Sequence, residues 1–168
     1  ELFVPGIGSG TKYKYLILGA DQHWREKADP MAFHTEVPPQ TSSVVYDSGY
    51  TWNDDAWMTE RATISDRQKK PMSVYEMHLG SWMRVPEEGN RPLTYRELAP
   101  KLAAYVQAMG FTHLELLPIM EHPFGGSWGY QPLGLFAPTG RYGTPEDFAY
   151  FIDRCHGAKR PQALRGRN

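Results

Sequence analysis

From Met72 onward the sequence commits to one topology. MSVYEMH and FTHLELL are short apolar runs, TYRELAPKLAAYVQAM and TPEDFAYFIDRCHG carry apolar residues at helical spacing, and the four alternate as strand, helix, strand, helix. A helix between two strands predicts that the strands run parallel, because antiparallel neighbours need only a hairpin turn. The first helix is predicted to open on Thr94, with Glu97 at capping-box spacing, to bury Leu98, Leu102, Tyr105, Val106 and Met109, and to stop at Gly110. Pro100 removes a backbone donor inside it and is expected to kink or restart it. The second helix has Thr144 as its cap, Pro145 at the first position, acids in the first turn, and Phe148, Phe151, Ile152 and Cys155 on one face.

Residues before Met72 follow a different pattern. KYKYLIL (12–18) alternates and then runs apolar between glycines, and reads as one strand. SVVY (43–46) reads as a second, the stretch REKADPMAFHTEVPP between them as irregular, and YTWNDDAWM (50–58) as loop. Short strands separated by turns predict part of a β-sandwich. TERATISDRQKK then reads as a linker. The expected fold class is α/β with β. The tail GAKRPQALRGRN is basic and holds Pro161, so it does not supply the apolar third strand that a parallel sheet calls for, and the chain is expected to stop inside a domain.

Composition narrows the function. Eighteen Lys and Arg against nineteen Asp and Glu give a net charge of -1, with no block of like charge, which disfavours a nucleic-acid partner. No apolar run approaches the roughly 18 residues of a membrane span. Cys155 is the one cysteine; it forms no internal disulfide and no Cys-based zinc cage, and it suits a cytoplasmic setting. PGIGSGTK has Thr11 where a phosphate loop needs Gly and leads into a strand, so it reads as a turn. The six histidines show no metal-ligand spacing, and no metal is expected.

The most informative segment is the 26-residue connection from Pro118 to Gly143, PIMEHPFGGSWGYQPLGLFAPTGRYG. Connections of that length without regular structure are usually functional, and this one follows a parallel strand, at whose carboxyl end active sites are built. Phe124, Trp128, Tyr130, Phe136 and Tyr142 either stack on sugar rings or pack the loop down. Glu76, Glu115 and Glu121 stand in or after the strands, where paired carboxylates could cleave a glycosidic bond; ion-pair or hydrogen-bond roles fit them better, and none is assigned as catalytic.

VYEMHLGSW (74–82), GFTHLELLPIMEHPFGGSWGYQ (110–131) and GLFAPTGRYGTPEDF (134–148) closely resemble the glycogen branching enzymes, the 1,4-alpha-glucan branching family of the α-amylase superfamily (glycoside hydrolase family 13). KYKYLILGADQHWREKADPMAF and YTWNDDAWM are similar to the end of the glucan-binding-type β-sandwich that precedes the barrel in that family. The resemblance covers about residues 1–158. It implies a partial sandwich over 1–58, a linker over 59–71, the first two βα units of an incomplete (β/α)8 TIM barrel over 72–158, and an atypical tail over 159–168. A complete barrel takes about 250 residues.

The resemblance also implies a chemistry: cleavage of an α-1,4 bond and transfer of the freed chain to a 6-hydroxyl, by a retaining route with a carboxylate nucleophile and an acid/base carboxyl, without a cofactor. By the same resemblance Tyr130 stacks on the donor's reacting sugar and Trp128, Gly129 and Gln131 frame it, so the implied partner is α-glucan. The family's catalytic carboxylates lie on later barrel strands that this chain does not contain, so the chain alone is expected to be inactive. A non-catalytic α-glucan-binding protein and a piece of a sibling hydrolase such as a trehalohydrolase are the alternatives; EHPFGGSWGYQP speaks against the second.

Overall fold

The computed structural model describes residues 3–64 and 70–158. The basic tail over 159–168, and 65–69 of the expected linker, lie outside the described residues. The chain divides into two compact units, Glu1–Gly49 with Pro118–Glu146, and Tyr50–Leu117 with Asp147–Asn168. The long connection belongs to the same unit as the N-terminal residues.

In the N-terminal unit the expected strand over 12–18 is two strands. β1 (Lys12–Tyr13) pairs antiparallel with β4 (Ser43–Val44), whereas β2 (Tyr15–Leu18) pairs antiparallel with β3 (Trp24–Lys27). β3 occupies residues that read as irregular, because WREK has no apolar alternation and becomes a strand only through its partner. A tight turn closes the hairpin, with Gln22 at φ 61 and an Asp21–Arg25 ion pair behind it. Asp29 joins the two pairs: its carboxylate accepts from Tyr13 Oη at 2.6 Å and Tyr15 Oη at 3.2 Å, and its amide donates to Ser43 Oγ at 2.8 Å.

In the second unit β5 (Val74–Met77) and β8 (His113–Leu116) pair in parallel, as their spacing predicts. The crossover between them holds a short helix α2 (Leu79–Trp82), a two-residue hairpin of β6 (Arg84–Val85) and β7 (Arg91–Pro92), and then α3 (Tyr95–Ala108). Thr94 and Glu97 form the reciprocal capping box. At the other end Gly110, at φ 80, donates to Gln107 O and Phe111 donates to Val106 O, the paired bonds that let a left-handed residue end a helix. The helix runs unbroken through Pro100. Its buried face is Tyr95, Leu98, Ala99, Leu102 and Ala103, one step round from the expected stripe; Tyr105 and Met109 are exposed. The shift follows from Tyr95, which packs against Phe148 of α4 (Pro145–Gly157), with ring centroids 5.2 Å apart.

The segment read as loop and linker also holds a helix, α1 (Asp55–Thr63), none of whose residues is buried. Its own sequence gives no apolar stripe, so side chains beside it and on α4 hold it. Trp57 stacks on His156 at 3.6 Å, and His156 Nδ1 lies 2.7 Å from Asp54 Oδ2. Asp153 of α4 accepts from Tyr50 Oη at 2.7 Å and from the Asn53 side-chain amide at 3.2 Å. Burial works to raise the Asp153 pKa, but the hydrogen bonds from Tyr50 and Asn53 outweigh it and hold the carboxyl below its usual range. Burial and the same bond push Tyr50 up to about 12. Among the described residues no helix is long and apolar enough to cross a membrane.

A folded-state pKa below the unfolded value adds stability above the unfolded pKa, and that stability disappears as pH falls through the folded value. Asp153→Asn is therefore expected to lower the urea midpoint at pH 7 and to flatten its decline between about pH 5 and pH 2. Urea titrations across that range check it, an unchanged acid limb being the contrary result.

Candidate functional site

The connection after β8 has to satisfy its own backbone without a long helix or sheet. Its two limbs solve this by pairing. Met120 and Pro138 form an antiparallel bridge, Thr139 N donates to Ile119 O at 2.7 Å, and Glu121 N donates to Ala137 O at 2.9 Å. Leu133 N returns to Glu121 O at 2.8 Å.

Glu121 then locks the two limbs from the inside. Its side chain is fully buried, Oε1 accepts from His122 N at 2.9 Å, Thr139 Oγ1 at 3.1 Å and Arg141 Nη1 at 2.5 Å, and Oε2 accepts from Gly140 N at 2.7 Å. The Arg141 guanidinium also donates to His122 O at 2.7 Å and Thr139 Oγ1 at 3.1 Å. Burying a carboxylate is costly unless it is hydrogen-bonded and its charge is met, and here both oxygens accept hydrogen bonds and Arg141 meets the charge. Its oxygens are thus committed to holding the loop, which makes Glu121 a structural ion-pair residue. Glu76 and Glu115 are register neighbours on adjacent parallel strands, both exposed, on the sheet face opposite Tyr75, whose ring packs against Tyr105 of α3.

The loop's tip is a wound turn. Ser127 N and Oγ both donate to Phe124 O, at 3.0 and 2.7 Å, Trp128 N donates to Gly125 O at 3.2 Å, and Tyr130 N donates to Ser127 O at 3.0 Å. Trp128 is left-handed at φ 53 and Gly129 follows at φ 87. A Cβ at residue 129 would lie 2.4 Å from Pro118 O, so the turn requires glycine twice over, for its φ and for its space. The result is an outward display: Phe124, Trp128 and Tyr130 are 63%, 57% and 65% exposed, and Gln131 is exposed beside them.

Trp128, Gly129, Tyr130 and Gln131 thus fall together on one tight turn, which offers flat apolar faces and an amide to a ligand with apolar faces and polar edges. Of the other loop aromatics, Tyr142 is buried and serves packing, while Phe136 is exposed and inclined against Phe33. Arg141 and Thr139 were not legible as partners of Glu121. The available signal was a lone carboxylate just past a strand and one arginine at the far end of the same loop.

Removing the Glu121 carboxylate takes away the Arg141 counter-charge and the acceptor of two backbone donors, His122 N and Gly140 N, and of the Thr139 hydroxyl. Glu121→Ala is expected to cost about 3–5 kcal/mol of unfolding free energy, measured by urea denaturation with Glu26→Ala, an exposed residue, as control. A loss below about 1 kcal/mol would contradict this role for the pair.

No protein-family model matches the chain. Curated relatives do. It is 58% identical over 158 residues to the 1,4-alpha-glucan branching enzyme of Frankia casuarinae, covering 94% of this chain and 18% of the relative. It is 59% identical over 160 residues to a branching enzyme of Rhizobium johnstonii, covering 94% and 22%, and 59% identical over 158 residues to that of Myxococcus xanthus, covering 93% and 22%. Among solved structures it matches a Salmonella typhimurium protein provisionally named an alpha amylase, with a TM-score of 0.67 and 30% identity, over 94% of this chain and 24% of that one. The chain spans about a fifth of the length of the curated relatives it matches.

Proposed function

We propose that the chain is a glucan-contacting stretch of a 1,4-alpha-glucan branching enzyme of the alpha-amylase superfamily, the proteins it is similar to, acting in glycogen biosynthesis in the cytoplasm. In this reading the whole enzyme cleaves an α-1,4 bond with retention and passes the chain to a 6-hydroxyl, making an α-1,6 branch. The sandwich-and-barrel division goes with it: part of a β-sandwich up to residue 58, and two βα units of a barrel over 72–158.

The observation that carries the proposal is the exposed turn from Trp128 to Gln131, set rigidly on the Glu121–Arg141 pair. Stacking needs a ring that is presented and does not have to be ordered on binding, since ordering an interfacial side chain costs about 0.5–1.5 kcal/mol. Tyr130 offers such a ring, with a hydroxyl to reach sugar oxygens, Trp128 offers a second face, and the Gln131 amide both donates and accepts. Turnover is assigned to carboxylates beyond those in this chain: Glu121 is consumed by Arg141, and no acid/base role falls to Glu76 or Glu115.

The test uses the full 168-residue chain and amylose. Affinity electrophoresis should show retardation in an amylose gel, weakened about tenfold by Tyr130→Ala and by Trp128→Ala. The iodine spectrum of the amylose should stay unchanged, because the chain alone does not rearrange it. Mobility indifferent to both substitutions would count against the site, and a shifted iodine spectrum against the division of labour.

A further inference from the structure

Because α1 has no buried residue, polar and ring contacts inside the second unit keep it against α4. His156 stands at their centre. Its ring lies flat on Trp57, with centroids 3.6 Å apart and planes inclined at 5°, and its Nδ1 is 2.7 Å from Asp54 Oδ2. A carboxylate only accepts, so Nδ1 carries the hydrogen and donates. Asp54 is also the cap residue of α1, yet its side chain makes no capping bond. An aspartate in that position ordinarily accepts from a backbone N–H two or three residues on, here Ala56 or Trp57. Its carboxylate therefore has two seats, the imidazole on α4 and the first turn of its own helix, and it occupies the first.

We propose that Asp54, Trp57 and His156 form a pH-operated latch, which holds α1 on α4 while His156 is cationic and releases it when the imidazole is neutral. The surroundings of the ring favour the cation. Asp54 is in hydrogen-bond contact with it, Asp153 lies three residues back on α4 and feels its charge, and Trp57 meets it with the negative face of its π-system. Arg61 of α1 works the other way, with its guanidinium carbon 5.1 Å from the centre of the Trp57 ring; two carboxylates, one of them in direct contact, outweigh it. Arg154 is two residues back on α4 and does not face the imidazole.

Histidine is the side chain that ordinarily changes charge between about pH 5 and pH 8. Carboxylates are ordinarily ionised throughout that window. Burial pushes the Cys155 thiol up to about 11, and burial with the Asp153 bond pushes Tyr50 up to about 12, both above it. Proton binding and docking favour each other, so docking is complete at the acidic end and is lost as pH rises. A neutral imidazole still donates through Nδ1, but the ion pair and the cation–π attraction are gone. The carboxylate then turns to the N–H groups of α1.

NMR of the full chain from about pH 5 to pH 8 tests the latch. The signals are the His156 ring protons, which the indole shields while stacked, and the amides of Ala56 and Trp57, which shift when Asp54 caps them. The proteins are wild type, His156→Gln, which keeps a donor and cannot titrate, and Asp54→Asn. In wild type the ratio of stacked to unstacked His156 should fall about tenfold as pH rises, with both amides moving in the same step. His156→Gln should abolish the step and leave the amides near their alkaline positions, and Asp54→Asn should move the step to lower pH. Ring protons that stay fully shielded at pH 8 overturn the latch, as does a stack that tightens with rising pH. So do Ala56 and Trp57 amides that stay still while His156 titrates, or a step that survives His156→Gln. Should His156→Gln unfold the unit, seen as loss of the α3 amide signals, Asp54→Asn decides, and a step it leaves unmoved overturns the latch.

Discussion

The presentation of the Trp128–Gln131 turn depends on one buried ion pair. A 26-residue connection between a strand and a helix has too many backbone groups and too little regular structure to hold a fixed shape by chance. Glu121 and Arg141 resolve that. The carboxylate collects donors from both limbs, and the guanidinium ties the second limb back to His122, so two stretches of chain nearly twenty residues apart become one clamped base. The cost of burying the charge is offset only because each oxygen is hydrogen-bonded and Arg141 meets the charge. That completeness leaves Glu121 no chemistry of its own.

Rigidity at the base permits exposure at the tip. Large aromatic side chains left in water are ordinarily a liability, and they collapse inward where the backbone lets them. Here the consecutive left-handed residues Trp128 and Gly129, with Gly129 pressed against Pro118, fix a turn that keeps Trp128 and Tyr130 outward.

What was legible in the sequence follows the range of the forces involved. The parallel strands, the capping box at Thr94 and Glu97, and the stop at Gly110 are short-range features, each readable within a few residues. The helix α1 was not legible, because it has no apolar stripe and leans on Asp153 and His156 about a hundred residues away. The break within KYKYLIL was hidden for a similar reason: its halves differ in which strand they meet, and β4 and β3 come later in the chain. At the candidate site the aromatic turn was visible as a motif. Its support was not, since an acid at 121 and an arginine at 141 announce nothing until the loop folds back. Family likeness supplied the reading of Tyr130, and the backbone supplied the reason that ring is presented.

Amide hydrogen exchange on the full chain at neutral pH tests the clamped base most directly. The amides of Glu121, His122, Thr139 and Gly140, which donate to Ala137 O, Glu121 Oε1, Ile119 O and Glu121 Oε2, should exchange about as slowly as Leu117, whose amide bonds to Met77 O in the parallel pair. Gly125 and Gly126 at the tip should exchange much faster. If the four base amides exchange as fast as those two glycines, the ion pair does not hold the loop, and the account of how this chain presents its aromatic surface fails with it.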